Sequence, residues 1–244
     1  MKITFLGTSH GYAEKNRFTS STLIETDEFY YLLDAGAPVE WIMVNNDKPY
    51  DKIRGVFITH MHGDHAASLS AVIEPMLRFR YNDKATCFFP SERGKEGFVN
   101  WLCTLNVSEE KIRSTVKLAV TEEGKIFDNS DIKVFARPTR HLENRDAAFS
   151  YIFEENGKKV LFTGDMAPGF PEYSQITGKE HYDLVVCEMA HSDISAVAED
   201  LKKTNTDRMI ISHYHDPRME GYEQILSDFP FPVEIAKDMM TTII

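Results

Sequence analysis

Cysteine is scarce: Cys87, Cys103 and Cys187 are the only three, an odd number with no CxxC pair among them. That excludes a disulfide framework and a paired-thiolate zinc or redox motif, and leaves reduced, mostly buried thiols. No apolar run approaches the roughly 20 residues a membrane-spanning helix needs. Met1-Lys2-Ile3-Thr4-Phe5-Leu6-Gly7 breaks at glycine after a short apolar stretch, unlike a signal peptide. The expected compartment is therefore the cytoplasm, with no membrane partner. Positive charge is short as well. Lys and Arg number 27 against 38 Asp and Glu, a net charge of −11 without a long basic run. Extended nucleic acid is disfavoured as a partner, although a local site can still take one phosphate group. Linkers, low-complexity segments, close repeats and the glycine fingerprint of a dinucleotide fold are all missing. With 42% hydrophobic and 27% charged residues, the 244-residue chain reads as one α/β domain spanning residues 1–244.

What the chain does contain is a dense histidine cluster, Thr59-His60-Met61-His62-Gly63-Asp64-His65, directly after the apolar run Gly55-Val56-Phe57-Ile58. β-Branched and aromatic residues without polar alternation predict a buried strand there. Residues two apart in extended chain point the same way, so His60 and His62 can reach one ion together. Gly63 is expected to turn the backbone sharply, aiming Asp64 and His65 at a second point. Solvated histidines are the bland alternative, yet three with an aspartate at the end of a buried strand argue for metal.

The rest of the chain alternates strand and helix patterns. Ile3 to Leu6, Leu23 to Glu25, Phe29 to Leu33, Ile53 to Thr59, Thr86 to Phe89, Val116 to Val120 and Ile132 to Ala136 read as strands. Val39 to Asn45 reads as a helix entered at Pro38, and residues 68–80 as a helix that Pro75 can kink. Gly97 to Leu105 is expected to be helical, with Phe98, Trp101, Leu102 and Leu105 on one core-facing side. Ala148 to Phe153 and Lys159 to Thr163 flank Asn156-Gly157, a strong hairpin signal. Leu184 to Cys187 and Met209 to Ser212 are buried strands around a helix from Ile194 to Lys202. Gly221 to Leu226 adds a short helix and Val233 to Ile235 a last strand.

Three of these strand ends supply more metal donors: His141 after Ile132 to Ala136, Asp165 after Val160 to Gly164, and His213 after Met209 to Ser212. With them the chain resembles the metallo-β-lactamase-fold hydrolases, whose pattern is Thr-His-x-His-x-Asp-His, a later histidine, an aspartate after a Thr-Gly turn, and a final histidine. The resemblance implies an αββα sandwich of two mixed sheets flanked by helices. It implies two divalent ions, zinc first with manganese or iron as alternatives, held by His60, His62 and His141 on one side and Asp64, His65 and His213 on the other, with Asp165 bridging. Such a pair lowers the pKa of a bridging water toward neutrality and stabilises charge on the attacked group, which is hydrolytic chemistry.

Within that superfamily the chain is most similar to the ribonuclease Z-like phosphodiesterase branch, through Gly7-Thr8-Ser9 with Asn16 to Ser21 and through Val186-Cys187-Glu188-Met189-Ala190. Cys187 stands where that branch carries a histidine that helps protonate the leaving group, and His191 is the candidate to replace it. Only 23 residues separate His141 from Asp165, leaving no room for the arm with which ribonuclease Z grips tRNA. The expected function is hydrolysis of a small phosphodiester, with lactone, ester or thioester hydrolysis as the runner-up. A non-catalytic metal-binding module or an iron redox protein is a third, weaker alternative. Asp64 and His191 are the candidate catalytic residues; His10, Ser20, Ser21, His215 and Glu188 are candidates for substrate contact. The family resemblance leaves a homodimer open.

Overall fold

Strands form wherever β-branched and aromatic residues run together, and a computed structural model, which describes residues 1–79, 85–143 and 145–244, sorts them into two seven-stranded sheets. The chain divides into two units: Met1–Gly7, Gly11–Thr121 and Asp238–Ile243 make the first, and Thr8–His10, Glu122–Lys237 and Ile244 the second.

The first unit contains strands β1 (Lys2–Gly7), β2 (Ser21–Glu25), β3 (Tyr30–Leu33), β4 (Ile53–Phe57), β5 (Thr86–Phe89) and β6 (Lys117–Val120), with the distant β14 (Thr241–Ile243) added at the edge. Their order is β14-β1-β2-β3-β4-β5-β6, antiparallel up to β3 and parallel from β3 onward. Pairing aligns Thr4, Leu23, Leu32, Val56, Cys87 and Leu118 in one row. From that face Leu23, Leu32, Val56 and Cys87 enter a core with Ile42 and Met43 of α1 (Val39–Asn45), Val72, Ile73 and Met76 of α3 (Leu69–Phe79), Phe98 and Leu102 of α4 (Glu92–Thr104) and Ile112 of α5 (Glu109–Thr115). Each large apolar side chain buried this fully contributes about 1.5–3 kcal/mol. The neighbouring row on the other face, Phe5, Leu33, Phe57 and Phe88, is buried too, and Phe57 stacks on Phe88 with ring centroids 4.9 Å apart.

In the second unit β7 (Gly124–Asp128), β8 (Lys133–Pro138), β9 (Phe149–Glu155), β10 (Lys158–Phe162), β11 (Leu184–Met189), β12 (Met209–Tyr214) and β13 (Val233–Ile235) pair in the order β13-β12-β11-β10-β9-β8-β7. The Asn156-Gly157 hairpin forms as expected, with positive φ at both residues (52° and 80°), the conformation that selects this dipeptide. Helices α6 (Tyr173–Thr177), α7 (Ile194–Leu201) and α8 (Tyr222–Ser227) pack on one sheet face, where Leu161, Val185, Cys187, Met209 and Ile211 meet Tyr173, Ile176, Val197 and Leu201. Mixed sheets flanked by helices are the architecture the family resemblance implies. Among the described residues no helix is long and apolar enough to cross a membrane.

Several elements depart from expectation. The helix expected from Gly97 begins at Glu92, because Ser91 Oγ accepts the Gly94 amide and caps it. Its buried seam is Gly94, Phe98, Val99 and Leu102, which leaves Trp101 about half exposed rather than in the core. Pro75 sits inside α3, and Arg80, the expected last residue of that helix, lies outside the described residues. Strands β7 and β14 and helices α5 and α6 were not foreseen from sequence.

Candidate functional site

Phe57 ends β4, and the chain that follows carries the first donor set. Asp34, at positive φ (60°) just beyond β3, holds that segment in place. Its carboxylate accepts hydrogen bonds from the Thr59 amide (2.8 Å), the Thr59 hydroxyl (2.9 Å) and His65 Nδ1 (2.7 Å). A carboxylate only accepts, so the His65 proton sits on Nδ1 and Nε2 presents its lone pair, 3.4 Å from Asp64 Oδ2. Thr59 Oγ1 also lies 3.1 Å from His60 Nδ1, and His60 Nε2 and His62 Nδ1 face each other at 2.9 Å. His60 and His65 are buried. His60 with His62, and Asp64 with His65, thus form the two pairs that their spacing predicts.

The turn between those pairs has another cause than the one expected. Gly63 opens a four-residue helix, α2 (Gly63–Ala66), without a positive φ, and a Cβ there would touch nothing within 4 Å. The glycine that matters is Gly36, where a Cβ would lie 1.8 Å from the Asp64 carbonyl oxygen. Close approach of two backbones seats Asp64, and the Gly11 amide then donates to its Oδ2 at 2.8 Å.

The second unit gathers its donors around Asp165, which is buried behind the Gly164 turn (φ 58°). Asp165 Oδ1 is 3.3 Å from His213 Nε2, and Oδ2 is 3.7 Å from His141 Nε2 and 3.8 Å from His191 Nε2. His141, Asp165 and His191 are grouped closely enough to share one ion. His213 does not end its strand, as expected, but is an extra residue inside β12: Glu188 pairs with Ser212 and Met189 with Tyr214, and His213 bulges between them at φ 50°. Its Nδ1 donates to the Ser9 carbonyl at 3.1 Å, which turns Nε2 toward Asp165.

The candidates for substrate contact separate into two kinds. His10 and His215 are half-buried with rings 4.1 Å apart, so the second unit brings them together. Ser21 is fully buried; its hydroxyl donates to the Ser20 carbonyl and accepts the Ala37 amide, which makes it a brace of the first unit rather than an exposed donor. Ser20 is half-buried, its carbonyl also accepting the Gly36 amide. Glu188 is 3% exposed, and its oxygens accept the Met166, Ala190 and His191 amides and face His191 Nδ1 at 3.0 Å. Its position suits holding His191 better than meeting a substrate. Cys187 is buried, and burial together with the neighbouring Glu188 charge pushes its thiol pKa up, consistent with an inert thiol. His181 lies exposed beside Asp207.

Imidazoles with fixed tautomers and carboxylate oxygens are donors that suit borderline divalent ions, so each set fits the metal its residues imply. Asp34, which braces Thr59 and His65, is absent from the residues expected at the site; its one signal in the sequence is the Asp34-Ala35-Gly36 turn at the end of an apolar strand.

The family model described as Anti-Pycsar protein Apyc1 matches residues 1–231. The chain belongs to the Apyc1 family. Beside that family, it is 27% identical to ribonuclease Z of Nitrosopumilus maritimus, over 70% of this chain and 56% of that protein. The chain spans between 49% and 64% of the length of eight curated relatives that it matches, each named ribonuclease Z. Among solved structures, the metallo-β-lactamase-fold protein YhfI of Bacillus subtilis is similar with a TM-score of 0.77 at 15% identity, covering 99% of both chains. The short form of human tRNase Z is similar with a TM-score of 0.74 at 21% identity, covering 100% of this chain and 99% of that one. The fold is therefore the metallo-β-lactamase fold, as the resemblance implied.

Proposed function

We propose that this Apyc1-family protein is a binuclear metal-dependent phosphodiesterase acting on a small phosphodiester. The observation that carries the reading is the convergence of three imidazoles on the Asp165 carboxylate, one of them, His191, backed by the Glu188 carboxylate. In this proposal residues 1–244 act as one domain; His60, His62 and His141 would hold one ion, Asp64, His65 and His213 the other, and Asp165 would contribute to both. Ions held there would supply Lewis acidity, activating water near neutral pH and neutralising charge on the attacked group. The chain's own groups do the rest. Asp64, fixed by the Gly11 amide and the Gly36 backbone, orients the nucleophile side. His191, its Nδ1 proton held by the Glu188 carboxylate, would as the imidazolium carry a second proton at Nε2 for the leaving oxygen, in place of the histidine for which Cys187 stands. His10 and His215 form the substrate-facing pair.

The ribonuclease Z name of those eight relatives favours RNA as the second reading. Against it stand the net charge of −11 and the tight β9–β10 hairpin that occupies the interval between His141 and Asp165. Free thiols at all three cysteines support a reducing, cytoplasmic setting. Zinc suits the imidazole-rich donor set, with manganese or iron as alternatives. The test is a substrate panel with zinc- and manganese-loaded protein: bis-aryl and cyclic phosphodiesters, precursor tRNA, lactones and thioesters. Diester turnover should outpace the others and vanish in His60→Ala. Faster cleavage of RNA, lactone or thioester would overturn the assignment, and light scattering checks the homodimer that the family resemblance leaves open.

A further inference from the structure

His141 and Asp165 reach the same point from two separate loops, and something must fix the distance between those loops. Glu172 is placed to do so. It is 1% exposed, and its Oε1 accepts two backbone amides at once: Arg140, next to His141, at 2.8 Å, and Ala167, two residues after Asp165, at 2.9 Å. One oxygen atom thereby joins the two ligand loops. The residue is itself anchored, because its carbonyl accepts the Gln175 and Ile176 amides at the start of α6 while Tyr173 and Ile176 are buried in the core. Independent bonds complete the clamp. Thr139 Oγ1 donates to the Asp165 carbonyl at 2.7 Å, and the Met166 amide donates to Glu188 Oε1 at 3.0 Å. Asp165 and the two residues after it are therefore each tied by a side chain, and only Glu172 among those three side chains also holds the backbone amide of the residue beside His141.

We infer that Glu172 is a positioning residue for the metal-ligand pair His141 and Asp165, setting their separation through the Arg140 and Ala167 amides. The inference rests on the metal reading proposed above. Outer partners that orient ligands typically govern metal affinity by about 10–100-fold when removed. Glutamine keeps a carbonyl oxygen at Oε1 and can accept both amides; alanine removes the acceptor; aspartate is one methylene too short to reach both.

The test is zinc affinity of the full chain by chelator competition, with the visible spectrum of the Co(II)-substituted protein as second readout. Glu172→Ala should weaken zinc by about 10–100-fold and change the Co(II) bands, while Glu172→Gln restores both. Leu201→Ala, a core change in α7 of the same unit, should lower thermal stability and leave both readouts alone. If Glu172→Ala does not fold, Glu172→Asp decides, and it should weaken zinc while keeping the wild-type circular dichroism. Unchanged affinity in the alanine or aspartate variant, or a glutamine variant as weak as alanine, overturns the positioning role. Wild-type protein that binds no zinc would overturn the metal reading itself, a distinguishable failure.

Discussion

Gly36→Ala isolates the contact that seats Asp64. A Cβ built on Gly36 would lie 1.8 Å from the Asp64 carbonyl oxygen, 2.5 Å from its carbonyl carbon and 2.9 Å from Thr19 Oγ1, where real Cβ contacts essentially never fall under 3.0 Å. Two of these atoms are backbone, so no rotamer change relieves them, and the carbonyl oxygen must recede by 3.0 − 1.8 = 1.2 Å. The Asp64 carboxylate holds the Gly11 amide at 2.8 Å and lies 3.4 Å from His65 Nε2, and a displacement of that size breaks the first and misaligns the second. A misplacement of about 1 Å can cost about 10²-fold in rate, and overpacking costs about 1–3 kcal/mol of stability. The assay pairs kcat/KM on a bis-aryl phosphodiester with thermal unfolding. Gly97→Ala is the control, since Gly97 is exposed within α4 and a Cβ there meets nothing within 4 Å; it should gain about 0.5–1 kcal/mol and keep its activity. Gly36→Ala with wild-type turnover and melting temperature would refute the reasoning.

Asp34→Ala leaves the Thr59 amide and His65 Nδ1 without their acceptor; it should cost about 1–3 kcal/mol and about 10–100-fold in metal affinity, and chemical denaturation with zinc titration would contradict this by finding neither. His191→Ala should slow diesters with an alkyl leaving group by about 10²–10⁴-fold and those with a nitrophenol leaving group far less; equal losses would remove His191 as the acid. Native protein should expose Cys103 alone to a thiol reagent, because Cys87 and Cys187 are fully buried and burial pushes both pKa values up. Fast labelling of two or three thiols before denaturant is added would contradict that burial.

The parts legible in sequence are those whose signal is local. Val56-Phe57-Ile58 before the histidines, the Asn156-Gly157 turn and the apolar period of α3 and α7 each carry their own cause. The parts that were not legible depend on distant partners. β14 is the short triplet Thr241-Thr242-Ile243, which becomes a strand by pairing with Lys2 to Thr4 at the other end of the sequence. α5 buries only Ile112 and is recognisable chiefly by the Ser108 cap that accepts the Lys111 amide. Gly94 and Gly97 disguise the first half of α4. The site shows the same division. Donor types and spacing are written in the chain, whereas Asp34 reaches Thr59, 25 positions away, and Glu172 reaches Arg140, 32 positions away, and a lone acidic residue in a turn announces none of that. Ser21 shows the converse: an exposed-looking hydroxyl in a polar stretch is spent on Ser20 and Ala37.

The proposed function requires that both donor sets contribute to metal binding and that both are needed for turnover. Metal content by mass spectrometry, measured alongside diester hydrolysis on the same preparations, tests it most directly. Wild-type protein should hold two divalent ions per chain, and both His60→Ala in the first set and Asp165→Ala in the second should lose metal and turnover together. One ion or none in an active wild-type protein, or full activity in either variant, would contradict the account.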